Sequence, residues 1–414
     1  MIVHDCMERE FSNSVLPRLL LHIAIIETLI FSGSKYIEEV YFGKLSNELI
    51  VFFVTNLFLF ISTRREQGKL KGANNIRRLI FIVIWIISVT FILGQGNHDF
   101  TFLSYLLFGT GTFLLISSTN FLTFRNFLLK YLIIISVVSI IVQLGHDYLG
   151  FFPSKPFIEK NGSVHLYSYM FNTEWGGNQE SNRLSSIYWE PGQYQIVIFY
   201  VLALFADEWS VISNWKNSIK KFWILIVALL LTISTTAYLM LMLVVLIIFV
   251  KSGRMYFKFI PLLLLVGGGL IFALFNSKAV QMKVDQREND NVQSSYTIRL
   301  ADNIGCLMVT MEDPLTGYGT GSDLLNGRLL SQGSISSSNG WLYGSAQLGI
   351  PYIIFLWICM WGNLKKLFPR VSTSLLFLLL VLSQSNESCI SFPYLFFYVF
   401  SFTKYENTYI QRNI

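Results

Sequence analysis

Apolar residues run along this chain in blocks, at about 15–32, 47–62, 79–94, 101–119, 127–144, 193–207, 222–235, 237–250, 259–276, 339–361, 371–384 and 389–403, with polar stretches between them. Blocks of this length from one end to the other predict an all-α polytopic membrane protein of about twelve transmembrane helices. Residues 1–414 then form a single integral membrane domain. One stretch decides the topology. Residues 222–250 are apolar without interruption and fit either one tilted helix of roughly 43 Å or two of roughly 21 Å each. A single helix would put Lys220 and Lys221 on the side opposite Lys251 and Arg254, whereas a hairpin breaking at Ser234, Thr235 and Thr236 keeps all four on one side, as the positive-inside rule prefers.

With the hairpin, the basic loops containing Arg64, Arg65, Lys69, Lys71, Arg77 and Arg78, then Arg125, then Lys216, Lys220 and Lys221, then Lys251, Arg254 and Lys258, then Lys365, Lys366 and Arg370 all fall on one side by parity. That side is the cytoplasm. Both termini then lie there too. The remaining polarity collects in two large outer loops, residues 145–192 and 277–338, which face the same compartment.

Composition agrees with the pattern. Charged residues are 14% of the chain, where soluble domains carry roughly 25%, and hydrophobic residues are 53% with a mean hydropathy of +0.52. This excludes a cytosolic enzyme, a disordered chain and a disulfide-stapled secreted module. The net charge of +6 reads as cytoplasmic loops, not as an affinity for nucleic acid. Cys6, Cys306, Cys359 and Cys389 lack metal-ligand spacing and read as free thiols, Cys306 and Cys389 being the pair that could meet. The N-terminus has no charged region and no cleavage site, so no segment is expected to be removed.

Two outer segments carry candidate chemistry. In the first, Arg183-Leu184-Ser185-Ser186-Ile187-Tyr188-Trp189-Glu190-Pro191-Gly192 ends where a span begins, and Pro and Gly there make Glu190 the entry residue of a helix. Glu190 is a candidate general base; it would serve equally as a partner of the helix dipole or an interfacial anchor. In the second, Leu300, Ile304, Leu307, Met308 and Met311 recur at helical spacing, which predicts a helix lying on the bilayer with Arg299, Asp302, Asn303 and Thr310 turned away from it. Arg299 points into the outer space in that arrangement. The run Gly317-Tyr318-Gly319-Thr320-Gly321 is a weak signal for an anion cradle. Asn339, Trp341 and Tyr343 at a membrane entry suit a carbohydrate, and an aromatic belt would look the same.

Metal-binding Asp pairs, His clusters, P-loops and nucleophile elbows are not evident in the sequence. His22 and Glu27, inside the first span, are expected to face the bundle interior, because either is costly in lipid.

The order and spacing of these pieces resembles the O-antigen polymerase and ligase superfamily of bacterial inner-membrane proteins. Four stretches over about residues 180–355 carry the likeness: Arg183 through Glu190-Pro191-Gly192, Thr235-Thr236-Ala237 between two short helices, Arg299 followed by Asp313-Pro314-Leu315 and Gly317-Tyr318-Gly319, and Asn339-Gly340-Trp341-Leu342 with Gly349-Ile350. The resemblance implies a C-type glycosyltransferase fold, chemistry at the periplasmic face without metal or other cofactor, and undecaprenyl-diphosphate-linked oligosaccharide as substrate. It also implies a chain-length regulator and a flippase as partners beside the membrane lipid. Ligases of the superfamily carry a histidine where this chain has Ser338 and an arginine where it has Thr236, which favours a polymerase. The glycine found eleven residues after the arginines of some polymerases is missing after Arg183 and Arg299. A ligase and a lipid-linked oligosaccharide flippase are the alternatives.

A polymerase of this kind draws its energy from a diphosphate already attached to the donor. Guanidinium groups can hold that leaving group bidentately and stay charged near lipid. Arg183, Arg299 and Arg328 are therefore expected around the diphosphate, with Glu190 as base, and Tyr318, Asn339 and Trp341 against the saccharide.

Overall fold

A computed structural model describes residues 15–37, 45–67, 73–93, 101–158, 164–175, 183–210, 215–252, 295–332, 339–386 and 391–402. The fold is mostly helical, at 79%. The helices are α1 Val15–Ile30, α2 Leu45–Gln67, α3 Ala73–Ile87, α4 Phe102–Ser118, α5 Phe121–Leu144, α6 Pro191–Ala203, α7 Trp215–Leu231, α8 Thr235–Ser252, α9 Ser295–Glu312, α10 Asp323–Ser331, α11 Gly340–Leu348, α12 Ile350–Leu367, α13 Thr373–Ser383 and α14 Pro393–Val399. The block at 259–276, residues 277–294 and 333–338 of the second large loop, Cys6 and Cys389 lie outside the described residues.

Among the described residues two helices are long and apolar enough to cross a membrane, Asn74–Leu93 with 20 residues and Phe121–Leu149 with 29, each reaching that length through a π-helical turn at its end. Elsewhere the apolar helical segments are shorter, at Asn47–Thr63, Phe102–Ser118, Thr235–Ile248 and Thr373–Ser383. The block at 339–361 divides at Gly349, which takes φ 79° because the Leu315 carbonyl occupies the place of a Cβ. The block at 371–384 yields an 11-residue helix and that at 389–403 a 7-residue one opened by Pro393. The described helices thus establish two candidate spans, not the twelve expected.

The all-α expectation needs a second correction. The first large loop contains a three-stranded antiparallel sheet, β1 Lys155–Ile158, β2 Val164–Ser168 and β3 Phe171–Trp175, in the order β1-β2-β3. The β2–β3 reversal passes through Tyr169 at φ 57°, and the register shifts between Leu166 and Tyr167. β3 packs on α5, where Gln143 Nε2 donates to the Thr173 carbonyl at 3.2 Å.

α6 is the centre of the bundle. It is apolar around its whole circumference, and every residue from Tyr194 to Ala203 is buried against α5, α7, α8, α13 and α14. Peripheral helices instead turn apolar stripes outward at i, i+4, i+7 spacing: Ile50, Val54, Phe58 and Ile61 on α2, Ile80, Ile84 and Ile87 on α3, and Ile134, Val138 and Ile141 on α5 are all exposed. α9 has the predicted two faces. Leu300, Ile304, Leu307, Met308 and Met311 are exposed, while Asp302, Cys306, Val309 and Thr310 are buried toward α10 and α11.

The apolar stretch 222–250 does break, at Thr232–Ser234, with Ile233 at φ 45°. Thr235 and Thr236 belong to the first turn of α8, so the break falls slightly earlier than expected.

The C-terminal end of α6 is locked by charge. Arg125, on the first turns of α5, is buried; its guanidinium donates to the Leu204 carbonyl at 3.0 Å, to Asp207 at 2.7 Å and to Glu208 at 3.0 Å. The ring faces of Phe121 and Phe205 lie 5.1 and 4.8 Å from it. Lys221 on α7 bonds the other oxygen of Glu208 at 2.6 Å. The basic residues expected to share one side, Arg125 and Lys221, are thereby joined.

Candidate functional site

At its other end α6 begins with Glu190 as N-cap and Pro191 in the first turn, where a missing N–H costs nothing. The segment leading into it is tightly held. Leu184 N–H donates to the Leu231 carbonyl at 3.0 Å and Arg183 Nε to the Thr232 carbonyl at 3.1 Å, so this stretch docks on the last turn of α7 where the chain breaks before α8. Those carbonyls are the orphan acceptors that any helix end leaves behind. Ser186 takes φ 62° and its hydroxyl meets Ser139 on α5 at 2.6 Å, while its carbonyl accepts from Asn172 N–H of β3 at 2.8 Å. Trp189 N–H then donates to the Gly33 carbonyl beyond the end of α1, at 3.1 Å. Four separate parts of the chain, namely the α1 corner, the sheet, α5 and the α7–α8 break, therefore fix the course of residues 183–190.

Glu190 itself is half-buried, and its carboxylate makes no cap bond. Arg183, also half-buried, stands at the same end of α6 and α7 as Glu190, whereas the Arg125 cluster occupies the opposite end of both helices. The structure thus brings two of the predicted site residues to one end of the bundle, next to the predicted helix break.

The second large loop builds an assembly of its own. Asp313 caps its own turn by accepting from Thr316 N–H at 3.2 Å and Thr316 Oγ1 at 2.9 Å. Gly317 N–H donates to the Asp313 carbonyl at 3.1 Å, Tyr318 N–H to Ala346 at 2.9 Å and Gly319 N–H to Gln347 at 2.8 Å. Ile350 N–H donates to the Pro314 carbonyl at 2.9 Å. Two amides of the glycine run are therefore spent on clasping α11 and a third on its own turn, and the run is not an anion cradle through them. Gly317 is required there, since a Cβ would stand 2.6 Å from the Ala346 carbonyl. Gln347 Oε1 accepts from Tyr105 of α4 at 2.6 Å, which anchors the clasp to the bundle.

Arg328 is exposed on α10, 3.6 Å from Glu312, and the Tyr318 hydroxyl donates to the same Glu312 oxygen at 2.8 Å. Burial, and after it the Glu312 carboxylate, push the Tyr318 hydroxyl up to about 12, so it remains a donor. Arg299 is half-buried on α9, one turn before the buried Asp302. Asn339 and Trp341 have work inside the fold. The Asn339 side chain caps α11 by accepting from Trp341 and Leu342 N–H at 3.1 and 3.2 Å. Trp341 is buried, donates from Nε1 to the Val381 carbonyl at 2.8 Å and meets Trp357 edge-on.

His22 is bonded to Tyr131 at 2.8 Å and Glu27 accepts from Thr55 at 2.9 Å, both toward the bundle interior as expected. Sequence reasoning did not single out Asn172, Gly33 or Gln193, which bond the backbone at the Trp189 carbonyl, the Trp189 N–H and the Glu190 carbonyl. Among the described residues, no group of three or more His, Cys, Asp or Glu could hold a metal ion. No family model, curated protein or solved structure matches the chain.

Proposed function

We propose that this chain is a multi-pass inner-membrane glycosyltransferase, an O-antigen polymerase joining undecaprenyl-diphosphate-linked oligosaccharide repeat units at the periplasmic face without a metal. The observation that carries the reading is the shared position of Arg183 and Glu190, a cation and a carboxylate on one segment, held at the break between α7 and α8. Outward apolar stripes on α2, α3 and α5 support a lipid surround, since patches of that extent are a liability in water. The Arg125–Glu208–Lys221 cluster supports the topology, because cations of two of the basic loops meet there, at the end of α6 opposite Arg183.

The chemistry is a displacement at the anomeric carbon of the donor. Glu190 takes the proton of an acceptor hydroxyl, whose oxygen forms the new bond to that carbon. The bond from carbon to diphosphate oxygen breaks and the diphosphate leaves with its electron pair, toward Arg183, Arg299 and Arg328. Attack from the face opposite the leaving group inverts the configuration. Each arginine is expected to supply on the order of 2–4 kcal/mol of transition-state stabilisation, by the scale of other oriented donors.

Deletion of the gene, followed by gel analysis of surface polysaccharide, tests the reading. A single repeat unit capping the core is the expected result. Bare core with polymer accumulating on its lipid carrier would mean a ligase, and undecorated units accumulating inside the cell would mean a flippase. Arg299→Ala should abolish polymer at normal protein level; a near-normal chain length would remove Arg299 from the site.

A further inference from the structure

α9 is covered on one face only. Asp302, Cys306, Val309 and Thr310 pack toward α10 and α11, whereas Leu300, Ile304, Leu307, Met308 and Met311 stay exposed and are followed by the exposed Leu315. Charge stands at the ends of this face, Arg299 before it and Glu312 with Arg328 after it, and none along it. Contacts with two other helices fix its height in the fold. Thr90, in the π-helical turn that ends the candidate span Asn74–Leu93, meets Thr320 of the glycine run at 3.2 Å. Trp85 of the same span donates from Nε1 to the Leu348 carbonyl at 2.8 Å. Beside them, Ile350 N–H at the head of α12 donates to the Pro314 carbonyl at 2.9 Å, and the Leu315 carbonyl fills the place of a Gly349 Cβ. α12 then turns Ile354, Ile358 and Trp361 outward at i, i+4, i+7 spacing. The α9 face therefore ends where one candidate span ends and where an outward apolar stripe begins. On both helices this is the end opposite the expected cytoplasmic cations, Arg78 on the one and Lys365 and Lys366 on the other.

We infer that this face of α9 is seated on lipid, at the boundary of acyl chains and headgroups in the outer leaflet, continuous with the stripe of α12. The inference takes its bilayer from the proposed function and adds that the second large loop holds a membrane-lying unit. A helix apolar on one side, polar on the other and charged at its ends has the pattern of an interfacial helix. A second copy of the chain is a poor occupant. From Leu300 to Met311 the face is about 17 Å long and about 10 Å wide, roughly 200 Å², whereas stable interfaces bury roughly 800 Å² per partner. Lipid needs no such area, because it covers every apolar face at that depth. Under the proposed transfer, Arg299 and Arg328 at the ends of the seated face lie where the diphosphate of a lipid-linked donor leaves the acyl region.

The test uses the full chain in phospholipid nanodiscs with Cys6→Ser and Cys389→Ser; Cys306 and Cys359 are buried and stay. A nitroxide is attached at Leu307→Cys or Met311→Cys on α9, or at Val138→Cys on the exposed stripe of α5. Its collisions with oxygen and with a water-soluble nickel chelate are compared. A seat on lipid favours oxygen severalfold at both α9 positions, as at Val138. Equal access of both reagents to α9 means water and overturns the seat. Exclusion of both means a protein cover, a second copy included, and overturns it as well. Lipid at Val138 with water at α9 removes the inference alone, whereas water at Val138 removes the membrane reading beneath it. The unaltered chain supplies a second measurement should the labelled ones not fold. Met308 and Met311 should be oxidised by water-soluble chloramine-T severalfold more slowly than the exposed Met170 at the β2–β3 reversal, and equal rates overturn the seat. Labels in lipid on α9 beside unchanged surface polysaccharide in the gene deletion would remove the polymerase reading and leave the seat standing.

Discussion

The two ends of the central helix hold charge in different ways. At the C-terminal end a buried guanidinium makes three hydrogen bonds, two of them to carboxylates, and is flanked by two aromatic faces; only its Nε lacks a partner. At the N-terminal end a carboxylate stands half-buried with no cap bond. A helix favours the reverse economy, since its N-terminus offers free N–H groups to any acid placed there. Paired charge stabilises a fold, whereas charge kept from its local partners is available to a ligand. The contrast assigns structure to one end of α6 and, under the proposed function, chemistry to the other.

Substitutions can break this contrast. The largest effect belongs to Glu190→Gln, which keeps shape and removes the base. Polymer formation should fall about 10²- to 10⁴-fold, the usual worth of general-base catalysis, with an unchanged melting temperature. Should most activity survive, the carboxylate only positions the segment or bonds sugar hydroxyls. At the other end the readouts exchange places. Arg125→Ala leaves the Leu204 carbonyl without its donor and Asp207 without its partner, while Glu208 keeps Lys221, and should cost about 1–3 kcal/mol of stability, read by thermal unfolding in detergent. The activity of whatever protein still folds should be near normal. If Arg125→Ala instead left stability intact and removed polymer, the division between the two ends would be lost.

What the sequence makes visible follows from how local each signal is. The N-terminus of α6 can be read from Glu190-Pro191-Gly192, and the two faces of α9 from the spacing of Leu300, Ile304 and Leu307, because both are set within a few residues. The α7–α8 break could be placed to within two residues from the charges flanking it. Arg125 reads only as a loop cation, since its partners Asp207 and Glu208 are some eighty positions away and meet it only through packing. The division at Gly349 is hidden for a similar reason: it exists because the Leu315 carbonyl arrives there from another segment. β1, β2 and β3 are short and lie in a stretch whose polarity reads as loop.

The smallest expected effect sharpens the comparison from within the paired end. Lys221 and Glu208 are 2.6 Å apart, yet their side chains are 33% and 25% exposed, against 5% for Arg125. Water and salt therefore reach the lysine pair and not the guanidinium. A double-mutant cycle of Lys221→Met and Glu208→Gln should give a coupling of about 0.2–1 kcal/mol that shrinks as salt is raised. The ammonium also lies 4.3 Å from the Phe205 ring, an attraction that Lys221→Met loses but that cancels from the cycle because Glu208→Gln leaves it in place. A coupling of several kcal/mol that ignores salt would mean that this end is sealed more tightly than its exposure indicates, and Lys221 would then belong with Arg125 in the buried core of the cluster.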